Sequence, residues 1–246
     1  KFLGGHFDIH GGGVDLVFPH HENEISQSEG ATGKKFVNYW VHFAHLVVDG
    51  KKMSKSLANF YTLRDLSKFE PRAIRYEFLK AHYRDKLNFS INSIEQAQKT
   101  IAGFDEFTRK LLDASGTESK KINGIVKKMG KEFESHLDSD LDSPKMFAAL
   151  HSFIRQVNKL LNENNVGKKN AVEIIVGMKK INAVLGLFLF EFDEEISSEL
   201  KQLIERRETA RREKNFGKAD ELRKLLLEKG VSLDDTSSGV KWKKIN

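Results

Sequence analysis

The chain has 246 residues, of which 39% are hydrophobic and 31% charged, a composition typical of a folded protein with packed cores. It has no apolar run of about 18 residues, which excludes a transmembrane helix, and no cysteine, which excludes disulfides and thiolate metal sites within these residues. Because it starts at Lys1 with strand-like sequence, without Met or a signal peptide, we expect it to be a fragment of a longer protein.

The net charge of +6 is concentrated near the end of the chain. Residues 201–246 carry 13 Lys and Arg against 8 Asp and Glu, a surplus of five. A basic terminal segment favours a polyanionic partner, and nucleic acid is the first candidate.

The first predicted element is a strand that ends at glycines. Residues 7–10 alternate between apolar and polar side chains and run into Gly11, Gly12 and Gly13. This order is typical of a nucleotide-binding α/β crossover, in which glycines let the backbone approach a ligand and Asp15 could accept hydrogen bonds from ribose hydroxyls. A strand-to-helix turn without a ligand would have the same pattern.

Pro19 then predicts the first turn of a helix. His20 and Glu24 are four residues apart and project from one face of that helix. An imidazole and a carboxylate at this spacing can hold Zn²⁺, although two ligands do not make a site. The alternative is a hydrogen-bonded or solvated pair.

Residues 36–48 are aromatic and apolar and predict a buried strand, or a helical turn followed by a strand. His42 within them faces either a site or the core. The loop that follows, Lys51 to Ser56, has no strand or helix pattern and predicts an exposed, mobile, cationic segment. The ammonium groups of Lys52 and Lys55, beside two hydroxyls, suit a polyphosphate, whereas the alternative is a lysine-rich surface turn.

Helices dominate the middle of the chain. Thr62 predicts the N-cap of a short helix, Pro71 opens a helix to about residue 82, and Ser93 caps a long helix to about residue 113. Residues 114–121 predict a polar linker. Three further helices, at about 123–137, 144–163 and 171–189, predict an antiparallel bundle.

The bundle sequence contains an acidic cluster, Asp138, Asp140 and Asp142, followed by Ser143 as the predicted N-cap of the next helix. The cluster lacks the glycine and the final glutamate of a calcium loop, so helix capping explains it better.

The C-terminal segment predicts two basic helices and a hairpin. Ser197 is the predicted N-cap of a helix to residue 214, and a second helix covers 216–229. Strands at 231–233 and 240–243 flank a turn, and lysines flank Trp242. Positive charge beside an aromatic ring suits single-stranded RNA, whereas the alternative is a solvated basic helix pair.

Taken together, these segments resemble the cysteinyl-tRNA synthetases, a family of class I aminoacyl-tRNA synthetases. The matching segments, in the order and spacing of the family, are His10-Gly11-Gly12-Gly13-Val14-Asp15-Leu16, Pro19-His20-His21-Glu22-Asn23-Glu24, Tyr39-Trp40-Val41-His42, Lys52-Met53-Ser54-Lys55-Ser56, Ala219-Asp220-Glu221-Leu222-Arg223 and the hairpin from Asp234 to Trp242.

The resemblance implies a remnant of a Rossmann-type catalytic domain, followed by a mostly α-helical bundle and a small α+β module. The expected parts are the end of the catalytic domain at 1–50, a signature loop with stem-contact helices at 51–113, a DALR-type anticodon-binding bundle at 114–192, and a basic anticodon-recognition module at 193–246.

The resemblance also implies roles for individual residues. His20 and Glu24 are implied as two of four zinc ligands, the other two being cysteines that precede this segment. Lys52 and Lys55 are implied to close over ATP as catalytic residues. The residues implied at the ATP and aminoacyl-adenylate site are His10, Gly13, Asp15, His42 and Lys55. Those implied in anticodon recognition are Arg211, Phe216, Asp220, Arg223, Asp235 and Trp242.

The implied reaction is the activation of L-cysteine by ATP with Mg²⁺, followed by transfer of the acyl group to tRNA(Cys). The lysines would stabilise charge that develops only in the transition state. Zinc would bind the substrate thiolate and so reject serine. The family further implies a cytoplasmic protein without membrane contact, expected to be a monomer.

The chain departs from the family in lacking the N-terminal half of the catalytic domain, with its His-x-Gly-His motif and both zinc cysteines. We therefore expect this fragment alone to be inactive, to bind zinc weakly or not at all, and to have a poorly ordered Lys52–Ser56 loop. The alternatives are a related cysteine:amino-sugar ligase and a non-catalytic tRNA-binding module.

Overall fold

A computed structural model describes residues 3–54, 59–191, 198–236 and 239–244 of the chain. The chain divides into two compact units, Lys1–Phe190 and Glu191–Asn246. The first unit contains an N-terminal parallel sheet, a second small sheet and a helical bundle. The described part of the second unit contains two helices and a hairpin.

The N-terminal sheet is a β-α-β crossover. Strand β1 (Phe7–Gly13) lies parallel to β2 (Val37–Phe43), and helix α1 (Glu22–Thr32) connects them. Parallel pairing requires such a crossover, because the chain must return to the same end of the sheet. The predicted α/β remnant is therefore confirmed.

The glycines belong to β1 itself and do not form the predicted turn after it. Gly11, Gly12 and Gly13 pair with Val41, His42 and Phe43 in the register of the sheet. The change of direction comes later, in two short helical turns, Val14–Leu16 and Val17–His21. Pro19 lies in the second turn, so α1 begins three residues after it.

A second sheet follows directly. Strand β3 (Leu46–Val48) lies between β4 (Lys51–Lys52), which is antiparallel to it, and β5 (Leu87–Phe89), which is parallel. The predicted strand over residues 36–48 is thus two strands in different sheets. The start of the lysine-rich loop is a strand, because Asp49 and Gly50 adopt positive φ and make a tight hairpin turn.

Five helices form the rest of the first unit. They are α2 (Pro71–Leu79), α3 (Ile91–Leu112), α4 (Ile122–Asp138), α5 (Ser143–Asn162) and α6 (Lys168–Leu185). Apolar residues at helical spacing give them one shared core, with Ala73, Ile101, Phe107, Leu150 and Ile174 among its buried members. The predicted bundle is confirmed, and its core also takes in α2 and α3.

Several predicted helix ends were wrong. Ser90 rather than Ser93 caps α3, because the two serine side chains form a reciprocal capping box. Asp142 rather than Ser143 caps α5, since its carboxylate accepts from the amide of Lys145. The region after Thr62 is a turn, in which its hydroxyl and Asp65 bond to each other.

Helix α6 ends at Leu185, four residues before the predicted end. Gly186 adopts a left-handed conformation and stops the helix. The side-chain oxygen of Asn182 then accepts from the amides of Leu187 and Phe188 at 2.7 and 2.8 Å. These bonds turn the chain back onto the bundle.

Residues 114–121 contain no long helix or strand, as predicted, but they are fixed to the bundle. The carboxylate of Glu118 accepts from the amides of Lys169 and Asn170, at the start of α6, at 2.9 and 3.0 Å. The side chain of Asn170 bonds in return to the backbone of Ser119. This segment thus supplies the capping group that α6 lacks in its own sequence.

The second unit confirms the predicted helix pair and hairpin. Helices α7 (Ser198–Arg212) and α8 (Phe216–Glu228) precede strands β6 (Val231–Thr236) and β7 (Gly239–Lys244). Buried residues from α7, α8 and β6 form its core: Leu203, Ile204, Leu222, Leu226, Val231 and Leu233. The predicted cap Ser197 lies outside the described residues. No helix in the described ranges is long and apolar enough to cross a membrane.

Candidate functional site

The N-terminal sheet gathers histidines on one face. His10 and Trp40 are partners in the parallel register, as are Gly12 and His42, so their side chains share a face. The imidazole of His10 stacks on the indole of Trp40 with ring centroids 4.6 Å apart. The ring of His42 is parallel to the same indole, within 3°.

His21 completes this group from the turn before α1. Its side chain is buried, with 3% exposed, and its Nδ1 lies 2.8 Å from Nε2 of His42. A Cβ at Gly12 would lie 2.6 Å from the His21 ring, so glycine is needed there to admit the imidazole. Burial, reinforced by the neighbouring histidines, lowers the pKa of His21.

His10 and His21, together with Glu24 of α1, could hold a metal ion. One ligand atom from each of His10, His21 and Glu24 lies within 4.8 Å of the others. The Oε2 atom of Glu24 is buried and only 2.9 Å from Nε2 of His10, yet it has no hydrogen bond of good geometry. Two imidazole nitrogens and a carboxylate with a buried unsatisfied oxygen fit a borderline cation such as Zn²⁺.

The predicted pair of His20 and Glu24 is also close, with 3.5 Å between His20 Nε2 and Glu24 Oε1. His20 is largely exposed, its side chain 60% accessible. The structure thus places the predicted pair together and adds His10 and His21, of which His21 was not predicted as a ligand. The signal for His21 was the glycine at position 12, which it contacts across the turn.

Two of the residues predicted at the nucleotide, Gly13 and Asp15, lie at the end of β1. The Asp15 carboxylate sits against the Gly13 backbone, so closely that a Cβ at Gly13 would collide with it. Asp15 is exposed and lies 3.9 Å from Nε2 of His45. The carboxyl ends of parallel strands are where α/β folds bind ligands, and Gly13, Asp15 and His42 all lie near this end.

The lysine-rich loop begins from a fixed position. Lys52 is exposed on β4, and the side chain of Asn59 joins both sides of the loop. Its Oδ1 accepts from the Ser54 amide at 2.8 Å, and its Nδ2 donates to the Lys52 carbonyl at 3.1 Å. Sequence reasoning missed Asn59. Lys55 and Ser56, the end of the predicted mobile segment, lie outside the described residues.

In the second unit, Arg211 and Asp235 form an ion pair, with 2.6 Å between Nη1 and Oδ2. Arg207, which sequence reasoning did not single out, donates to both oxygens of Asp235 at 2.7 and 3.0 Å. These arginines, and Arg207 first, lower the pKa of Asp235 to about 2. The carboxylate is therefore ionised throughout the neutral range.

The other residues predicted to bind RNA are more dispersed. Phe216 and Asp220 are exposed on α8. Arg223 donates to the Leu233 carbonyl at 3.4 Å. Trp242 is opposite Leu233 in the hairpin and packs against the core of the unit, so part of its ring is unavailable for stacking.

Comparison with protein families matches almost all of this architecture. Residues 1–99 match the class I (C) tRNA synthetase catalytic domain, residues 132–190 the DALR domain, and residues 193–242 the cysteinyl-tRNA ligase anticodon-binding domain. The three matches follow one another without overlap.

Curated relatives match over nearly the whole chain. The cysteine–tRNA ligase of Brachyspira hyodysenteriae is 43% identical over 99% of the chain and 53% of the relative. That of Chlamydia felis is 42% identical over 100% of the chain and 52% of the relative. The chain thus spans about half the length of the curated relatives it matches.

Solved structures support the fold alone. The LeuRS of Agrobacterium radiobacter K84 has a TM-score of 0.58 at 13% identity, covering 73% of this chain and 26% of that one. The methionyl-tRNA synthetase of Mycobacterium tuberculosis has a TM-score of 0.54 at 15% identity, covering 73% of this chain and 42% of that one. On the evidence of its domain matches and relatives, the chain belongs to the cysteinyl-tRNA synthetase family, among the class I synthetases.

Proposed function

We propose that these residues are the C-terminal part of a cysteine–tRNA ligase, which activates L-cysteine with ATP and Mg²⁺ and transfers it to tRNA(Cys). The observation that carries the proposal is the His10, His21 and Glu24 group beside the ligand-binding end of a parallel sheet, in a chain that also has an anticodon-binding domain. Translation in the cytoplasm is the expected setting, and a monomer the expected state.

Glu24 is the centre of the proposed metal site. The resemblance pairs it with His20, whereas the geometry also offers His10 and His21. When bound, Zn²⁺ supplies a Lewis acid that holds the thiolate of cysteine and discriminates against serine. The contact between buried His21 and half-buried His42, and the stack of His10 on Trp40, hold the imidazoles in place on this side of the sheet.

The nucleotide would lie across the end of β1. Gly13 lets the backbone approach it, and the exposed Asp15 carboxylate can accept hydrogen bonds from the ribose. Lys52 and Lys55 would place ammonium groups on the phosphates as pyrophosphate leaves. His10 and His42 would line the adenylate on the face that bears Trp40.

The second unit would bind tRNA. Residues 201–246 of this unit carry a surplus of five Lys and Arg, which supplies attraction to phosphate, and the exposed ring of Phe216 supplies a stacking surface. Arg211, Asp220, Arg223, Asp235 and Trp242 remain the proposed contacts of the anticodon. The division of the first unit at residues 50 and 113 likewise remains a prediction.

The two alternatives are disfavoured by the domain content. A cysteine:amino-sugar ligase has no use for an anticodon-binding domain, yet residues 193–242 match one. A non-catalytic tRNA-binding module has no use for Lys52 on a braced loop or for the histidine–carboxylate group.

The proposal is tested by restoring the missing length. The chain is fused behind the preceding residues of the Brachyspira hyodysenteriae relative, and ATP–pyrophosphate exchange is measured with cysteine and with serine. We expect exchange that depends on cysteine, and none from the 246-residue chain alone. A folded chimera whose ATP–pyrophosphate exchange is not increased by cysteine would contradict the proposal.

A further inference from the structure

One arginine of α7 is buried, whereas Arg206, Arg211 and Arg212 of the same helix are exposed. The side chain of Arg207 is only 4% accessible, and its guanidinium donates in a two-pronged arrangement to both oxygens of Asp235. It also pairs with Glu208 on the same helix. Burying a guanidinium is costly unless it is fully paired, and the Nε atom of Arg207 is buried without a hydrogen-bond partner among the described residues. The burial of Arg207 therefore costs stability, which favours a functional role over a purely stabilising one.

Asp235 links this buried group to the surface. Its Oδ2 atom accepts from Arg207 and also lies 2.6 Å from Nη1 of Arg211. Arg211 is 41% and Asp235 39% accessible. The three side chains therefore form a line from the core of the unit to an exposed guanidinium. Arg211 and Asp235 are open to a ligand, whereas Arg207 is not.

The strand that carries Asp235 is held as well. Leu233, two residues earlier, is buried in the core, and its carbonyl accepts from Arg223. Arg207 and Arg223 thus restrain β6 from two helices. A side chain that is already held in place loses less conformational entropy when a ligand binds, which increases affinity.

We propose that Arg207 is a positioning residue for RNA recognition, which fixes Asp235 and through it the exposed guanidinium of Arg211. The inference rests on the proposed function, since it assumes that Arg211 contacts tRNA. Arg207 itself is too buried to contact RNA. Lysine at position 207 keeps the charge but cannot make the two-pronged bond.

The test is a double-mutant cycle on the full 246-residue chain. The dissociation constant for a tRNA(Cys) transcript is measured for wild type, Arg207→Lys, Arg211→Gln and the double variant. We expect Arg207→Lys to weaken binding about tenfold and to add less than about twofold when Arg211→Gln is already present. Arg206→Lys, an exposed neighbour on the same helix, is the matched control and should leave binding unchanged.

Two results would overturn the inference. The first is wild-type affinity for tRNA(Cys) in Arg207→Lys. The second is that Arg207→Lys weakens binding equally with and without Arg211→Gln, which would mean that Arg207 acts on the fold alone. The failure of the proposed function has a different signature, namely wild-type chain that binds tRNA(Cys) no better than a transcript with a changed anticodon.

A second measurement keeps the inference testable if the Arg207→Lys variant does not fold. If melting shows that Arg207→Lys unfolds residues 198–244, Asp235→Asn takes its place, because it keeps the side-chain shape. The readout is then the mobility of the Arg211 Nε–H group by ¹⁵N relaxation in RNA-free protein. Increased mobility supports the inference, and unchanged mobility overturns it.

Discussion

The two units hold their functional carboxylates in opposite ways. In the histidine cluster (His10, His20, His21, His42 and Glu24) of the first unit, a buried oxygen of Glu24 forms no hydrogen bond of good geometry with any described residue, although a His10 nitrogen is 2.9 Å away. In the arginine cluster (Arg207, Arg211 and Asp235) of the second unit, both oxygens of Asp235 accept from arginine.

The difference indicates what each site is built to receive. An unsatisfied buried oxygen beside imidazole nitrogens is costly to fold around, and a cation relieves that cost. A carboxylate that is already saturated by arginine gains nothing from a cation. Under the proposed function, it would instead hold its arginine partners for a ligand that arrives with negative charge.

The largest effect should come from the histidine cluster. In the fused chimera, we expect Glu24→Gln to lower cysteine-dependent exchange by more than about 100-fold, because an amide is a poor ligand for zinc. Elemental analysis should show a matching loss of zinc. Normal zinc content in this variant would remove Glu24 from the metal site.

Comparing His20→Asn with His21→Asn shows which of the two histidines binds zinc together with Glu24. The resemblance predicts the larger zinc loss for His20, whereas the distances in the sheet favour His21. Zinc content is measured in the chimera for both variants, after melting shows that they are equally stable. The substitution that removes more zinc identifies the histidine that binds it. Equal and complete retention in both would contradict a site built around Glu24.

The comparison also requires that each unit fold on its own core. We expect Phe107→Ala, at a fully buried position of α3, to destabilise the first unit by about 3–5 kcal/mol. Thermal melting followed by signals from each unit should show the loss in residues 3–190 only. An equal shift in the signals of α7 and α8 would contradict separate cores.

The smallest effect concerns the acid stability of the arginine cluster. The pKa of Asp235 is lowered to about 2 by Arg207 and then Arg211, so its contribution to stability is complete above about pH 4 and is lost as the pH falls towards 2. Asp235→Asn should remove this part of the acid dependence. Exposure of the carboxylate to solvent keeps the effect small. Identical acid unfolding in wild type and variant would contradict it.

Sequence patterns predicted the elements better than the contacts between them. The helices of the bundle followed from apolar spacing, since burial along one face dominates their energy. Their caps did not, because Ser90 and Ser93, or Asp142 and Ser143, are chemically equivalent choices until the backbone selects one. In the histidine cluster, local spacing predicted that His20 and Glu24 are close together, and the structure places them 3.5 Å apart. The contacts of His21 with His42 and of Asn59 with Lys52 were not predicted, because each pair is brought together only by the path of the folded chain.

Cysteinylation of tRNA(Cys) by the chimera tests the central claim most directly, because it needs both units. Wild type is compared with Glu24→Gln and Arg211→Gln, with pyrophosphate exchange measured in parallel. We predict that Glu24→Gln loses exchange and cysteinylation together, whereas Arg211→Gln keeps wild-type exchange and loses cysteinylation through a raised KM for tRNA. Cysteinylation that is unaffected by either substitution would contradict a metal site in the first unit and an RNA site in the second.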